Sequence, residues 1–281
     1  MMTGGTTSKC PDSFVLQTRK AVQHIRRMRG GSQSHLMRCD DGELYVVKFL
    51  NNPQHPRVLA NELLATVLAH VVGLPVASGV LVDVSPRLIE STRELTIHLK
   101  DITIPCQSGV QFGSRYVVDP LQGKMFDYFP VNMLGQVRNI ETFAGMLAFD
   151  KWLGNVDTRQ VVFWRRSRQK KYTAGFIDHG YCLNAGEWNF PDHPLRGTYP
   201  DNQVYAEVYG WESFEPWLSR VENLEEHRLL TCSAMLPQEW FGTSQELHKV
   251  MRELAHRRTL LRDLIAAFRV SERRPFPKWQ I

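Results

Sequence analysis

The stretch "YVVKFLNNPQHPRVLANELLATVLAHVVG", residues 45–73, constrains the fold more than any other part of the chain. An apolar run carrying one lysine, Lys48, ends at a polar break with two prolines, and a long apolar segment follows. The first run reads as a strand. The second reads as a helix, because Pro56 suits a first helical turn and Gly73 a position just past a helix end. Leu59, Leu63, Val67 and His70 fall on one stripe of that helix. A lysine inside a strand that should be buried needs a reason. Either the strand lies at a sheet edge and Lys48 is solvated, or something anionic sits over it, held by the loop before it. That loop, "RGGSQS", carries two glycines and small polar residues and can bring several backbone N–H groups near a phosphate. Glu62, in "ANELLA", sits beside the helix stripe. An inward lysine and an inward glutamate are each costly alone and tolerable as a pair. Two unrelated surface charges are the other reading of the same spacing.

The rest of the chain alternates in a simple order. Residues 1–13 read as disordered. "RCDDGEL" reads as a hairpin turn on its Asp-Gly pair. "LPVASGVLVDV" and "VQFGSRYVV" read as strands, and "IETFAGMLAFDKWL" as a helix. The loop "GNVDTRQ", the strand "VVFWR", the basic turn "RRSRQKK" and the strand "YTAGFID" follow. The Pro-, Gly- and Asn-rich span 184–205 reads as a long surface loop. "TSQELHKVMRELAHRRTLLRDLIAAF" opens on a capping box, Thr243 and Glu246, and reads as helix throughout. This order predicts an α+β, bilobed plan. A β-rich N-lobe with one helix would span residues 14–118. A helical C-lobe with a short central β-hairpin would span residues 119–281.

Two carboxylates stand where that hairpin would bring them together. Asp157 lies in the loop before its first strand, and Asp178 ends its second, in "FIDHG". One can accept a proton from an attacking hydroxyl while the other holds Mg²⁺ on ATP phosphates. Turn carboxylates that cap their own backbone are the plainer alternative. Gly180 would let the chain turn sharply behind Asp178. His179, between them, reads as a packing residue. "HPLRGTYP" reads either as a substrate or activation loop or as irregular surface. The order of parts is that of a kinase-like phosphotransferase: glycine loop, strand Lys, helix Glu, loop Asp, strand-end Asp-x-Gly.

Together "RGGSQSHLM", "YVVKFLNNPQHPRVLANELLATVLAHVVGLPV", "FGSRY", "FDKWLGNVDTRQVVFW" and "FIDHGYCLN" resemble the HipA-like kinase domain family over most of residues 20–190. The resemblance implies a bilobed protein-kinase-like fold related to phosphatidylinositol kinases. It implies ATP and Mg²⁺ as cofactors, a protein Ser/Thr hydroxyl as acceptor, and an antitoxin-like partner. Gly30, Gly31, Ser32, Gln33 and Ser34 would form the phosphate loop. Lys48 would be the nucleotide lysine with Glu62 its helix partner, Asp157 the catalytic aspartate and Asp178 the metal aspartate. The adenine side would lie along Phe112–Tyr116. The chain departs from the family at one place. An Asn five residues past the catalytic Asp is the usual second metal ligand, and Val162 stands there. Gln160 is the nearby substitute; without one, a pseudokinase that docks a partner is the alternative, as is a small-molecule or lipid kinase on the same fold. Asp150 and Asn155 have the Asp-x-x-x-x-Asn spacing, but Asp150 falls within the predicted helix and reads as structural, bonded to the loop backbone.

Composition narrows the remaining classes. The 281 residues are 43% hydrophobic and 22% charged, with a formal charge of +5 spread along the chain. That is ordinary globular composition and not the footprint of a nucleic-acid binder. The five cysteines, Cys10, Cys39, Cys106, Cys182 and Cys232, contain no Cys-x-x-Cys pair. Neither a disulfide framework nor a zinc site is expected, and a reducing cytoplasm fits. The opening "MMTGGTTSKCPDS" has no apolar segment of signal-peptide type, and no run is long enough for a membrane span.

Overall fold

The computed structural model describes residues 15–119 and 121–280. The reading of residues 1–13 as disordered, and Cys10 with them, lies outside the described residues. The N-terminal part is built on β1 (Thr18–Arg27), β2 (His35–Cys39), β3 (Leu44–Lys48), α1 (Val58–Val71) and β4 (Gly79–Val84). A short α2 (Pro86–Ser91), the hairpin β5 (Thr96–Leu99) and β6 (Ile102–Pro105), and β7 (Gly109–Arg115) complete it. The strands close into a barrel in the order β1-β2-β3-β7-β4. A parallel pairing of β4 with the start of β1, Thr18 opposite Leu81, joins its two ends. This is more than a sheet with one helix: α2 and the separate β5–β6 hairpin were not expected.

The partners of β3 settle where Lys48 lies. β3 pairs with β2 on one side and β7 on the other, with Lys48 opposite Phe112. It is therefore an interior strand, and the solvated-edge reading of Lys48 is excluded. Side chains alternate across a strand. Tyr45 and Val47, with Phe49 just beyond, join the barrel core, whereas Val46 and Lys48 face the cleft beneath it.

Helix α1 runs under that cleft. Its residues Val58 to Ala69 are all buried, so the stripe read from the sequence is only part of a helix that is covered on every side. Gly73 (φ +77°) ends it, with Gly73 N–H bonded to His70 O and Leu74 N–H to Ala69 O.

The C-terminal part holds β8 (Gly123–Phe126), α3 (Thr142–Trp152), β9 (Gln160–Arg166) and β10 (Thr173–Ile177). It ends in α4 (Trp217–Glu222), α5 (Glu226–Ser233), α6 (Ser244–Arg257) and α7 (Leu261–Arg269). The expected β9–β10 hairpin gains β8 as a third strand, in the order β10-β9-β8. The long terminal helix is interrupted at Arg258–Leu260 by a 3₁₀ turn, so it becomes α6 and α7; the capping box of Thr243 and Glu246 is present at its start. The span 184–205 is less superficial than its composition suggests. Trp188, Thr198 and Tyr205 are buried, and Trp188 Nε1–H donates to Asn61 Oδ1 at 2.8 Å. Among the described residues no helix is long and apolar enough to cross a membrane. The cysteines at 39, 106, 182 and 232 are free and buried.

Candidate active site

A cleft opens between the barrel and the β8–β9–β10 sheet. Met28, Arg29, Ser32 and Ser34 line its roof, Lys48 and Glu62 its back, and Gln160, Val162 and Asp178 its floor. Its other end is lined by Phe112, Ser114, Arg115 and Tyr116, the stretch expected on the adenine side.

Lys48, Glu62 and Asp178 meet at the back of this cleft. The Lys48 ammonium donates to Glu62 Oε1 and, at 2.7 Å, to Asp178 Oδ1. Lys48 is 6% and Glu62 3% exposed, so the surface-charge reading fails for both. The geometry follows from periodicity: Val58, Glu62 and Thr66, four apart on α1, turn one face toward the cleft, and Lys48 is on the cleft face of β3. Burial opposes the Lys48 charge, but the two carboxylates outweigh it and hold the ammonium above the usual lysine range. Burial likewise pushes Asp178 up, yet Lys48 brings it down to about 2. Glu62, the most enclosed of the three, is held up by burial against the pull of Lys48.

Asp178 is strained as well as charged. Its φ is +62°, left-handed, a conformation that costs energy for any non-glycine and is common at functional positions. Leu183, Asn184, Ala185 and Trp188 also have positive φ. A buried amide holds this twisted segment together. Asn61 Nδ2 donates to the carbonyls of Gly180, Cys182 and Ala185 at 2.9, 2.8 and 2.7 Å. Asn61 thus fastens the Asp178 loop to the helix that carries Glu62. Gly180 stands in the expected turn, which Cys182 N–H closes onto His179 O at 3.0 Å, and it also serves space: a Cβ there would stand 2.7 Å from Val58 Cγ2. His179 is 2% exposed and stacks edge-on to Phe149. Burial drives its pKa well below the usual value, so it is a neutral packing residue.

The loop with Asp157 is fixed from beneath. Asp150 accepts from Arg159 at both carboxylate oxygens, including Nε to Oδ2 at 2.8 Å, and from Asn155 Nδ2 at 2.9 Å. Asp150 therefore bonds loop side chains, not the loop backbone as expected, and with Asn155 it is closed off from the cleft. Asn155 Oδ1 accepts from Asp157 N–H at 3.1 Å. Arg159 donates onward to the carbonyls of Ile177 and Asp178, at 2.7 and 3.1 Å. One buried ion pair thereby ties the Asp157 loop to Asp178. Gln160 pairs with Ile177 at the same end of the β9–β10 hairpin. Asp157 is half-buried there, and its Oδ1 accepts from Thr158 N–H at 2.8 Å. "HPLRGTYP" is a platform under this loop, not a free substrate loop: Arg159 N–H donates to Thr198 O, and Gly197 packs on Asp150.

The glycine loop is only partly turned to the cleft. Gly30 has φ +116°, and Gln33 N–H closes a turn onto Gly30 O at 3.2 Å. Gly31 and Ser32 N–H have no protein acceptor among the described residues, which leaves them available to an anion. The Gln33 side chain, in contrast, points away from the cleft, to His98.

Val162 lies within β9 opposite Gly175, not in the loop. Position 162 is therefore strand, and Gln160, exposed at the strand's start and lining the cleft, is the nearest amide. Among the described residues no group of three His, Cys, Asp or Glu side chains could hold a metal alone. Asp178 and Gln160 offer hard oxygen donors, which suit Mg²⁺ when phosphates supply further ligands.

Comparison with known proteins settles the family. The profile of the HipA-like kinases matches residues 21–267. The chain belongs to the HipA-like kinase family. No curated protein matches it. Among solved structures it is similar to the Helicobacter pylori proinflammatory kinase CtkA, at TM-score 0.56 and 16% identity over 92% of this chain and 100% of that one. It is also similar to the Golgi casein kinase with Mn/ADP bound, at TM-score 0.54 and 12% identity over 92% and 74%. Hydra Fam20 with sugar gives TM-score 0.54 and 13% identity over 92% and 88%. At these identities the likeness establishes a protein-kinase-like fold.

Arg159 and Asn61 were not singled out from the sequence. The available signals were slight: an arginine directly before a buried strand, and an amide within an apolar helix.

Proposed function

We propose that this HipA-like kinase transfers the γ-phosphoryl group of ATP to a Ser or Thr hydroxyl of a protein. The observation that supports it most is Lys48 bonded at once to Glu62 and Asp178 at the back of a cleft roofed by the glycine loop. The barrel part, residues 14–118, acts as the nucleotide lobe, and residues 119–281 as the catalytic lobe. Gly30 to Ser34 cradle the phosphates, chiefly through backbone N–H groups. Lys48, kept charged by its two carboxylates, contacts them, and Glu62 orients Lys48. Asp178 and Gln160 would hold Mg²⁺, which when bound neutralises charge developing on the transferred group. Asp157 orients the acceptor hydroxyl and takes its proton. An antitoxin-like protein partner and a reducing, cytoplasmic setting belong to the same reading; the free buried cysteines support the latter.

Asp157→Asn keeps the shape of the loop and removes the base. ADP release with Mg-ATP should fall at least about 10²-fold, and wild-type turnover in this variant would refute the assignment. Running the assay with protein, small-molecule and lipid-headgroup acceptors identifies the acceptor class. A second reading rests on Val162: with an apolar side chain where a metal-binding amide is usual, the chain would bind nucleotide and dock a partner without transfer. Nucleotide binding with no ADP release on any acceptor favours that reading.

A further inference from the structure

The glycine loop is short, carries two glycines, and is nonetheless gripped from outside the cleft. Gln33 Nε2–H donates to His98 O at 2.7 Å, and His98 N–H donates to Gln33 Oε1 at 2.8 Å. The amide behaves as one residue of an extra strand, because His98 sits on the edge of β5 that β6 leaves free. Its partner across that hairpin is Thr103, reached by the side chain: His98 Nδ1 and Thr103 Oγ1 are 2.7 Å apart. A second grip comes from Asn52, whose Nδ2 donates to Ser32 O at 2.9 Å while its Oδ1 accepts from Gln54 N–H. Arg27, where β1 enters the loop, donates to Thr96 O on the same strand β5. Gln33 itself holds φ +47°, which a non-glycine adopts only when its surroundings impose it.

We propose that Gln33 is a positioning residue, and that through it the β5–β6 hairpin is the outer support of the phosphate loop. This rests on the reading of residues 30–34 as the phosphate loop and changes the role of Gln33 from nucleotide ligand to clamp. With Ser32 O drawn to Asn52 and the Gln33 amide drawn to His98, the loop is set before ligand arrives, with Ser32 lining the cleft. Binding then does not have to order it. Movement of the β5–β6 hairpin would move the loop with it.

The test compares wild type with Gln33→Ala, Gln33→Gly and His98→Pro, first without nucleotide. Hydrogen exchange of the amides of Met28 and Gln33, bonded within the loop to Ser34 O and Gly30 O, and tryptic cleavage after Arg29, report the loop directly. Exchange there should rise by about tenfold in Gln33→Ala and Gln33→Gly, which lose both amide bonds, by less in His98→Pro, which keeps the His98 carbonyl, and stay unchanged in α1 and α3. KM for ATP should rise by about tenfold with kcat within about twofold. Gln33→Gly relieves the left-handed backbone and should not rescue; rescue would mean that strain, not the clamp, governs the loop. The Gln33→Ala/His98→Pro double variant should be no looser than Gln33→Ala alone. Unchanged loop exchange, or a loosened loop with unchanged KM, overturns the proposal. A loop that loosens as expected in a protein whose wild type binds no ATP supports the clamp and refutes the kinase reading instead.

Discussion

Removing the Asp150 carboxylate, as in Asp150→Ala, separates a structural from a catalytic role for the two candidate frames. The Asp150 side chain is 0% and the Arg159 side chain 2% exposed, and Arg159 donates to both Asp150 oxygens. Among the described residues, the variant leaves a buried guanidinium hydrogen-bonded to the carbonyls of Ile177 and Asp178 and to no carboxylate. Breaking a buried pair by removing one member costs about 3–5 kcal/mol. At about 2–4 °C per kcal/mol for a chain of this class, Tm should fall by about 6–20 °C. The assay is thermal or urea unfolding of wild type, Asp150→Ala and Asp150→Ala/Arg159→Leu. The double variant should recover part of the loss, because no charge is stranded, but not all of it, because the Ile177 and Asp178 carbonyls lose their donor. Asp157→Asn should unfold like wild type. An Asp150→Ala protein as stable as wild type but inactive would refute this reasoning and move the catalytic role to Asp150.

Two further outcomes follow from the same geometry. Asn61→Leu strands the carbonyls of Cys182 and Ala185 and the Trp188 indole N–H, while Gly180 O keeps His55 as a partner; at about 1–3 kcal/mol for each stranded group, urea unfolding should show a loss of at least about 3 kcal/mol, and a loss below about 1 kcal/mol contradicts the fastening role. Burial lowers the pKa of His24, His35, His55, His70 and His179, with His35 brought to about 4 and His179 well below its usual value. The histidines therefore bind more protons in the unfolded chain than in the folded one below about pH 6.5, so their contribution to stability is complete above that pH and drains away as pH falls toward the folded values. Tm should decline from pH 7 to pH 5; a flat profile over that range contradicts it.

The fold was legible where local chemistry and tertiary placement agree. Asp41-Gly42, Gly73 and the Thr243–Glu246 box each make a local turn or cap, and each appears where the sequence puts it. The barrel was not legible, because its closure depends on β4 returning beside β1, a pairing that no local pattern encodes. The pairing of β3 with β7, also remote in sequence, decided Lys48, since only a strand paired on both sides rules out the edge. Lys48, Glu62 and Asp178 could be found because a charge on a buried element demands a partner. Asn61 escaped because its partners are backbone carbonyls and an indole distant in sequence, and Arg159 because its partners are backbone carbonyls and a helix aspartate nine residues back, a spacing that signals no pairing. Gln33 was assigned to the right loop and the wrong direction: composition marks a glycine loop but not which way an amide within it turns.

The most direct test of the kinase cleft is thermal unfolding with ATP, with and without Mg²⁺, on wild type and Asp178→Ala. Lys48 keeps Glu62 as a partner in the variant, so the cleft retains one ion pair. With ATP at 100-fold its dissociation constant, wild type should gain about 2.7 kcal/mol. The account predicts that this gain depends on Mg²⁺ and is lost in Asp178→Ala. A wild-type Tm that ATP and Mg²⁺ leave unmoved would contradict it.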